Sequence, residues 1–457
     1  METEVYVYVD IAGTPHLAGR LWARVRKGRE SATFEYDSGW LEYADRFSLE
    51  PALTLGPGPF HTPTGKPLFG TIGDSAPDRW GRVLMRRAER RRAEHAGETP
   101  RTLMEIDYLL MVDDETRQGA LRFARQEGGP FLAEHEAARI PPLIDLPQLL
   151  SAAEHVVGDT DSDEDMRSLL APGSSLGGAR PKASVRDRDG HLAIAKFPHK
   201  DDEINTVLWE AVALRLAAKA GIPVPDWRIE HVLNKSPGAI YRASPEGVRL
   251  RDEPNNKPVL LLRRFDREQG QRSDSCSCKS DTSAIPGGRI PFLSAMSMLG
   301  ASDNESRSYL EFVDALRRYG ASPKQDMHEL WRRIVFNILI SNTDDHLRNH
   351  AFLYTGPDGW RLSPAYDLNP VPTDIKPRVL TTAIDLDDGS ASLDLAMSVV
   401  GYFELDEAKA HAIAAEVGQA VTTWREEAAR LGLTQAEIDR MASAFEHEDL
   451  KAALSLS

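Results

Sequence analysis

The chain has 457 residues, 41% hydrophobic and 27% charged, with a formal net charge of −15 at pH 7. That length holds about two or three units with sizeable cores. The acidic balance argues against a chain-wide nucleic-acid footprint, since such surfaces are usually basic. The two cysteines, Cys276 and Cys278, exclude a disulfide framework and, without further soft ligands nearby, do not make a metal site.

Met1–Asp10 alternates Val5, Val7 and Val9 against Tyr6 and Tyr8, a strand period. It lacks the basic start and apolar stretch of a signal peptide, and no apolar run in the chain is long enough to span a bilayer. A cytoplasmic protein with no membrane partner is expected. Leu21–Val25 and Thr33–Tyr36 read as further strands, and Val83–His95 as a helix, so the first hundred residues form a small α+β unit. The basic run Arg86, Arg87, Arg90, Arg91 and Arg92 spreads over more than one face of that helix and reads as a solvated face balanced by Glu89 and Glu94. Residues 101–155 mix short strands with helix. Gly158–Met166 is acidic and nearly devoid of apolar residues, which reads as an exposed linker.

Lys182–Val185 and Leu192–Phe197 read as paired strands around the turn Arg186–Gly190. A helix follows from Ile204 to Ala220, stopped by Gly221. Val259–Leu262 is a short buried strand, and the polar stretch Asp266–Arg289 reads as a mobile loop. From Ile290 onward helical periodicity dominates, with Ser306–Tyr319 and Lys324–Ile340 the clearest cases and a capping box at Thr434 and Glu437.

Four elements carry chemistry. Thr343–Asn349, T-D-D-H-L-R-N, follows an apolar helix and sets Asp344 and Asn349 five apart. Transfer of a phosphoryl group to a hydroxyl needs a carboxylate to take the proton and a neutral oxygen ligand for magnesium, and protein kinases use this separation. Asp367, in S-P-A-Y-D-L-N-P, follows a strand–turn–strand segment, where kinases hold their main magnesium ligand. Lys196 lies in an apolar strand, L-A-I-A-K-F-P, where an ammonium needs a partner. Phosphates would serve, with Glu210 on the next helix orienting it. Gly173–Lys182, G-S-S-L-G-G-A-R-P-K, is rich in small residues whose amides could cradle phosphates.

Together these blocks resemble the HipA family of bacterial serine/threonine kinases over most of the chain. G-D-S-A-P-D-R-W-G looks like the family's first domain, S-S-L-G-G-A-R-P-K its phosphate-binding loop, L-L-R-R-F-D-R its hinge, and the Asp344 and Asp367 blocks its catalytic core. The resemblance implies an α+β, bilobal, protein-kinase-like fold with a small N-terminal α+β domain and a mostly helical C-terminal lobe. The expected divisions are 1–110, a connecting and acidic segment 111–165, a strand-rich ATP-binding lobe 166–289, and a helical catalytic lobe 290–457. It implies ATP and Mg2+ as cofactors, Asp344 as catalytic base, and Asn349 and Asp367 as magnesium ligands. Nucleotide contacts are expected from Gly177, Gly178, Ala179, Arg180, Lys182, Lys196, His346 and Tyr366, with Phe265 at the hinge beside the adenine. Ser175 matches an autophosphorylated serine; Ser174 precedes it, and Asp345 adjoins Asp344, so each assignment has a neighbouring alternative.

The resemblance further implies the kinase half of a toxin–antitoxin pair. Its partner would be a HipB-like helix-turn-helix antitoxin that carries most of the contact with operator DNA. Its protein substrate would be a translation component such as an aminoacyl-tRNA synthetase, with growth arrest and persistence as the outcome. The rival expectations are a weakly active family member that serves mainly as antitoxin-bound co-repressor, and a small-molecule kinase.

Overall fold

The structure, a computed structural model, describes residues 2–132, 140–170, 178–233, 240–242, 256–268 and 288–456. The chain forms two compact units, each built from two segments: Met1–Ala195 with Arg263–Leu293, and Lys196–Leu262 with Ser294–Ser457.

In the first unit, β1 (Glu2–Ile11), β2 (Thr14–Arg26), β3 (Arg29–Tyr36), β4 (Pro59–His61) and β5 (Leu121–Ala124) form a sheet in the order β4-β3-β2-β1-β5. The alternation in β1 does what its period dictates: Val5, Val7 and Val9 are fully buried. Tyr8 and Asp10 are buried as well, Tyr8 against the Phe131 ring and Asp10 beside Arg122, where β1 lies between β2 and β5. Helices α1 (Ser38–Glu42), α2 (Gly70–Asp74), α3 (Arg79–Ala96), α4 (Glu105–Met111), α5 (Leu146–Val157) and α6 (Asp163–Leu170) complete the unit, with the hairpin strands β6 (Lys182–Arg186) and β7 (Leu192–Lys196).

Two stretches differ from expectation. The acidic segment is exposed at Gly158, Asp159, Thr160, Ser162 and Glu164, as expected, but it is tied to α3 and runs into α6. Arg87 pairs with Asp159 and Asp161, and Arg91 with Asp161 at 2.8 Å and Asp163 at 2.9 Å, leaving the Asp161 side chain only 5% exposed. Of the expected partners of the basic run on α3, Glu89 pairs with Arg92 at 2.9 Å; the other partners are Glu98, also 2.9 Å from Arg92, and the aspartates some seventy residues downstream.

The segment after β10 (Asn256–Arg263) also starts ordered. Asp266 is buried. It accepts from Arg264 Nε at 2.7 Å, from Arg267 at 2.9 Å and from the Gly119 N–H at 2.8 Å. Burial alone would raise this carboxyl, but Arg264, Arg267 and the Gly119 amide outweigh it and hold it well below the usual range. Gly119 has φ +72° and a Cβ there would lie 3.1 Å from Phe292 Cβ, a tight contact on a left-handed backbone that favours glycine. At the other end Arg289 reaches Asp114 at 2.8 Å, and Glu268 N–H donates to the Gly288 carbonyl at 2.7 Å.

In the second unit, α7 (Thr206–Lys219) begins at Asn205, whose side chain accepts the Leu208 N–H, and ends where Gly221 takes φ +74°. Strands β8 (Trp227–Leu233), β9 (Ile240–Arg242) and β10 are antiparallel neighbours, with β8 between the other two. After β11 (Phe292–Ser294) come α8 (Ala295–Met298), α9 (Tyr309–Tyr319) and α10 (Pro323–Leu339), then the hairpin β12 (Ala351–Tyr354) and β13 (Trp360–Leu362). Six short or medium helices follow: α11 (Leu393–Ser398), α12 (Glu407–Thr422), α13 (Trp424–Arg430), α14 (Gln435–Arg440), α15 (Ala442–Phe445) and α16 (Glu448–Ser455). The expected capping box at Thr434 and Glu437 opens α14. Helix α10 is the core of this unit; Trp331, Ile334, Val335, Phe336 and Ile338 are fully buried. Among the described residues no helix is long and apolar enough to cross a membrane.

Candidate active site

Lys196 closes β7 and Glu210 sits in the second turn of α7. Their side chains meet: Lys196 Nζ donates to Glu210 Oε1 at 2.6 Å. The same ammonium donates to Asp367 Oδ1 at 2.7 Å, across 171 residues of sequence. Side-chain exposure is 17% for Lys196, 5% for Glu210 and 29% for Asp367. Burial disfavours the ammonium, but the two carboxylates more than offset that and raise its pKa. Asp367 takes φ +58°, a left-handed conformation uncommon outside glycine and most tolerated by Asn and Asp. Its carboxylate thereby faces Lys196, while its carbonyl accepts from Asn369 Nδ2 at 3.0 Å.

The T-D-D-H-L-R-N loop follows α10 directly. Ser341, at φ +52°, turns the chain, and its hydroxyl donates to the Ala444 carbonyl at 2.8 Å. Asn342 Nδ2 donates to Asn337 Oδ1 at 3.0 Å, so the buried helix end is stitched to the loop it presents. The adjacent aspartates then have opposite surroundings. Asp345 is buried. Its Oδ2 accepts from Tyr309 Oη and from Asn337 Nδ2 at 2.7 Å, and lies 2.8 Å from His350 Nε2. Burial, then the Asp345 charge, pushes the Tyr309 phenol well up, keeping it a donor. Asp344 projects outward with its side chain 61% exposed. A carboxylate with three donors on one oxygen is a structural anchor; an open one can meet an incoming hydroxyl.

Asn349 ends a short 3-10 turn, Leu347–Asn349, that His346 precedes. Its Nδ2 donates to the Asp344 carbonyl at 3.0 Å, which directs the amide oxygen to the other side. Tyr366 Oη donates to the Arg348 carbonyl at 2.8 Å, tying the Asp367 segment to the same loop. Asp367 and Asn349 offer one carboxylate and one amide oxygen. That donor set suits magnesium, which keeps most of its shell for water and phosphate oxygens. Among the described residues no group of three or more His, Cys, Asp or Glu side chains could hold a metal ion.

Within the first unit, Gly178, Ala179 and Arg180 are exposed, while Lys182 is buried in an ion pair with Asp78 at 2.8 Å. Asp78 caps α3, accepting the Gly81 N–H at 2.7 Å. Burial raises its carboxyl, and Lys182 opposes that. The Trp80 indole N–H donates to the Lys182 carbonyl at 2.9 Å. The expected loop lysine is thus held by the G-D-S-A-P-D-R-W-G block. Phe265 packs near Phe292, ring centroids 6.5 Å apart. Ser174, Ser175 and Gly177, like Cys276 and Cys278, lie outside the described residues.

Sequence reasoning did not find the roles of Asp78 and Trp80, the Tyr309–Asn337–His350 cluster around Asp345, or Lys376 beside Asp344. Only Asp78 carried a local signal, an Asp three residues before Gly81 at a helix start.

The fold class is mixed α and β, as expected, and the pattern of exposed aspartate, asparagine and lysine-bound aspartate lies in its second unit. Residues 174–425 match the HipA-like C-terminal domain, and the chain belongs to the HipA family. A HipA chain from Shewanella oneidensis, solved with HipB and its operator DNA, has the same fold: TM-score 0.61, covering 99% of this chain and 96% of that one at 16% identity. Two relatives bear the name "Putative kinase". One from Haemophilus influenzae is 23% identical over 208 residues, 43% of this chain and 52% of its own length, so the chain spans about half of it. The other, from Sinorhizobium fredii, is 24% identical over 359 residues, 73% of this chain and 71% of its own length.

Proposed function

We propose that the protein is an ATP- and Mg2+-dependent serine/threonine protein kinase, the toxin of a HipA/HipB-like pair. The observation that carries this is Lys196, whose ammonium bridges Glu210 and Asp367. A kinase requires such a lysine, ordered by a helix glutamate and delivered to phosphates. In this reading Asp344 accepts the proton of the substrate hydroxyl, and its exposure suits that task. Asp367 and Asn349 hold magnesium, which when bound offsets the charge of the nucleotide phosphates. Lys196 then exchanges Asp367 for a phosphate while Glu210 keeps its direction. Gly177, Gly178, Ala179 and Arg180 would contact the nucleotide, with His346, Tyr366 and Phe265. Lys182 would fix the end of that loop through Asp78. By similarity to the Shewanella complex, the partner is a HipB-like antitoxin, with operator DNA bound mainly through it. The acceptor is a translation protein such as an aminoacyl-tRNA synthetase, and Ser175 is a site of autophosphorylation. The test is incubation of the protein with labelled ATP, magnesium and a cell lysate, followed by peptide mapping, with Asp344→Asn alongside. Label on a lysate protein and on Ser175, absent with Asp344→Asn, is expected. Equal labelling by the variant would refute the assignment of the base.

A further inference from the structure

We propose that Lys376, in the segment that follows Asp367, is a further catalytic residue, contacting the phosphoryl group during its transfer; this rests on the kinase reading of Asp344. Lys376 Nζ donates to the Thr343 carbonyl at 3.4 Å and stands 3.8 Å from Asp344 Oδ1. Among the described residues it is the cation within 4 Å of that carboxylate. Other cations of this region are engaged. Lys196 binds Glu210 and Asp367, Arg348 binds Asp303 at 3.1 Å, and Arg378 binds Asp449 at 2.7 Å.

The place of Lys376 is set by its segment. Arg378 donates to Ser341 Oγ at 3.1 Å and to the Ile338 carbonyl at 2.9 Å. Thr381 Oγ1 donates to the Thr343 carbonyl at 2.9 Å, and Thr382 Oγ1 to the Asp345 carbonyl at 2.7 Å. Three neighbours thus pin residues 376–382 along the end of α10 and the Asp344 loop. The lysine alone points its charge to the exposed side, and it is 42% exposed. At 3.8 Å it does not hydrogen-bond the carboxylate, so Asp344 stays open to a hydroxyl and the ammonium keeps N–H groups to give.

The chemistry places the need for that charge at the same spot. The acceptor oxygen must come within about 3 Å of Asp344 for its proton to be taken. In transfer, that oxygen bonds to the terminal phosphorus, the bond to the bridging oxygen breaks, and its electron pair leaves on ADP. The hydroxyl proton goes to Asp344. Negative charge spreads over the three equatorial oxygens of the moving group, beside the carboxylate and within a lysine stem's reach of Nζ. The Lys376 ammonium donates to those oxygens and screens them from Asp344.

The test is steady-state kinetics of Lys376→Ala and Lys376→Arg with ATP, magnesium and a protein acceptor, normalised to nucleotide-binding sites so that an unfolded fraction does not count. Lys376→Ala is expected to lower kcat about 100-fold, with KM and affinity for ATP within about two-fold of the parent. Lys376→Arg is expected to restore most of the rate. A kcat left unchanged by Lys376→Ala, a rise in KM alone, or no recovery with Lys376→Arg overturns the role. Asp344→Asn in the same assay separates the two claims. If it is silent while Lys376→Ala is fully active, only the lysine is wrong. If it still turns over, the base assignment falls and the lysine's role with it.

Discussion

Replacing Lys196 by methionine keeps the stem and removes the charge that Glu210 and Asp367 share. Their oxygens are no farther apart than the sum of 2.6 and 2.7 Å. Two unit charges at that distance repel by about 3 kcal/mol at an effective dielectric of 20. Breaking a buried pair by deleting one partner has a measured range of about 3–5 kcal/mol. Glu210 is 5% exposed and has no recourse to water, whereas Asp367, at 29%, can rehydrate. We therefore expect Lys196→Met to destabilise the folded protein by about 3 kcal/mol. Glu210→Gln on top of it should recover about 2 kcal/mol, although Glu210→Gln alone is destabilising. Urea titrations of the four members of this cycle, followed by tryptophan fluorescence, give the coupling directly. Trp209, buried beside Glu210 on α7, is a local reporter. If the two single effects simply add to within about 0.5 kcal/mol, the residues are not coupled and the bridge does not form.

The two aspartates should separate in a melting experiment: Asp345→Ala is expected to lose about 2–4 kcal/mol because Tyr309, Asn337 and His350 lose their shared partner, and Asp344→Asn less than about 0.5 kcal/mol. Equal losses would reverse their roles. Asp367→Ala is expected to weaken ATP binding in magnesium but not in its absence, read by calorimetric titration; an unchanged magnesium dependence would remove Asp367 from the metal site. Asp78→Asn weakens the hold on Lys182, and hydrogen exchange of Gly178–Lys182 should quicken at least about ten-fold while the β1–β5 sheet stays protected. No change would show that the loop end is held otherwise. Burial raises Glu50 from 4.5 to about 7, even though Thr71 N–H donates to it at 2.6 Å. Its contribution is therefore full below pH 4.5 and lost as pH rises through about 7, so Glu50→Gln should be neutral at pH 4 and stabilising by about 3 kcal/mol at pH 8. A pH-independent difference in melting temperature would refute the shift.

What the sequence disclosed was whatever a local period or cap encodes. The helix expected at Ile204–Ala220 is Thr206–Lys219, and that expected at Lys324–Ile340 is Pro323–Leu339, because apolar spacing and a stop residue are properties of a few consecutive positions. The partnership of Lys196 with Glu210 was legible for the same reason, a strand lysine and the next helix. Contacts between distant segments were not legible. Nothing within Gly158–Met166 tells that Arg87 and Arg91 will neutralise it. Nothing in D-D tells which carboxylate faces inward; that choice is made by Tyr309, 36 residues earlier. Lys376 has no motif around it, and its position comes from the hydrogen bonds of Arg378, Thr381 and Thr382.

The chain passes between its two units three times, at residues 195/196, 262/263 and 293/294. During synthesis the first unit is therefore incomplete when its initial 195 residues leave the ribosome. Asp114 then still awaits Arg289, and the Gly119 amide awaits Asp266. Domains usually fold in order as they emerge, but here α7 and the strands β8, β9 and β10 must be made before the first unit can close. A fragment ending at 195 would keep Arg122 on the buried Asp114 but lack its second arginine, Arg289. An expression design that isolates the first unit should instead replace residues 196–262 by a short linker and retain 263–293.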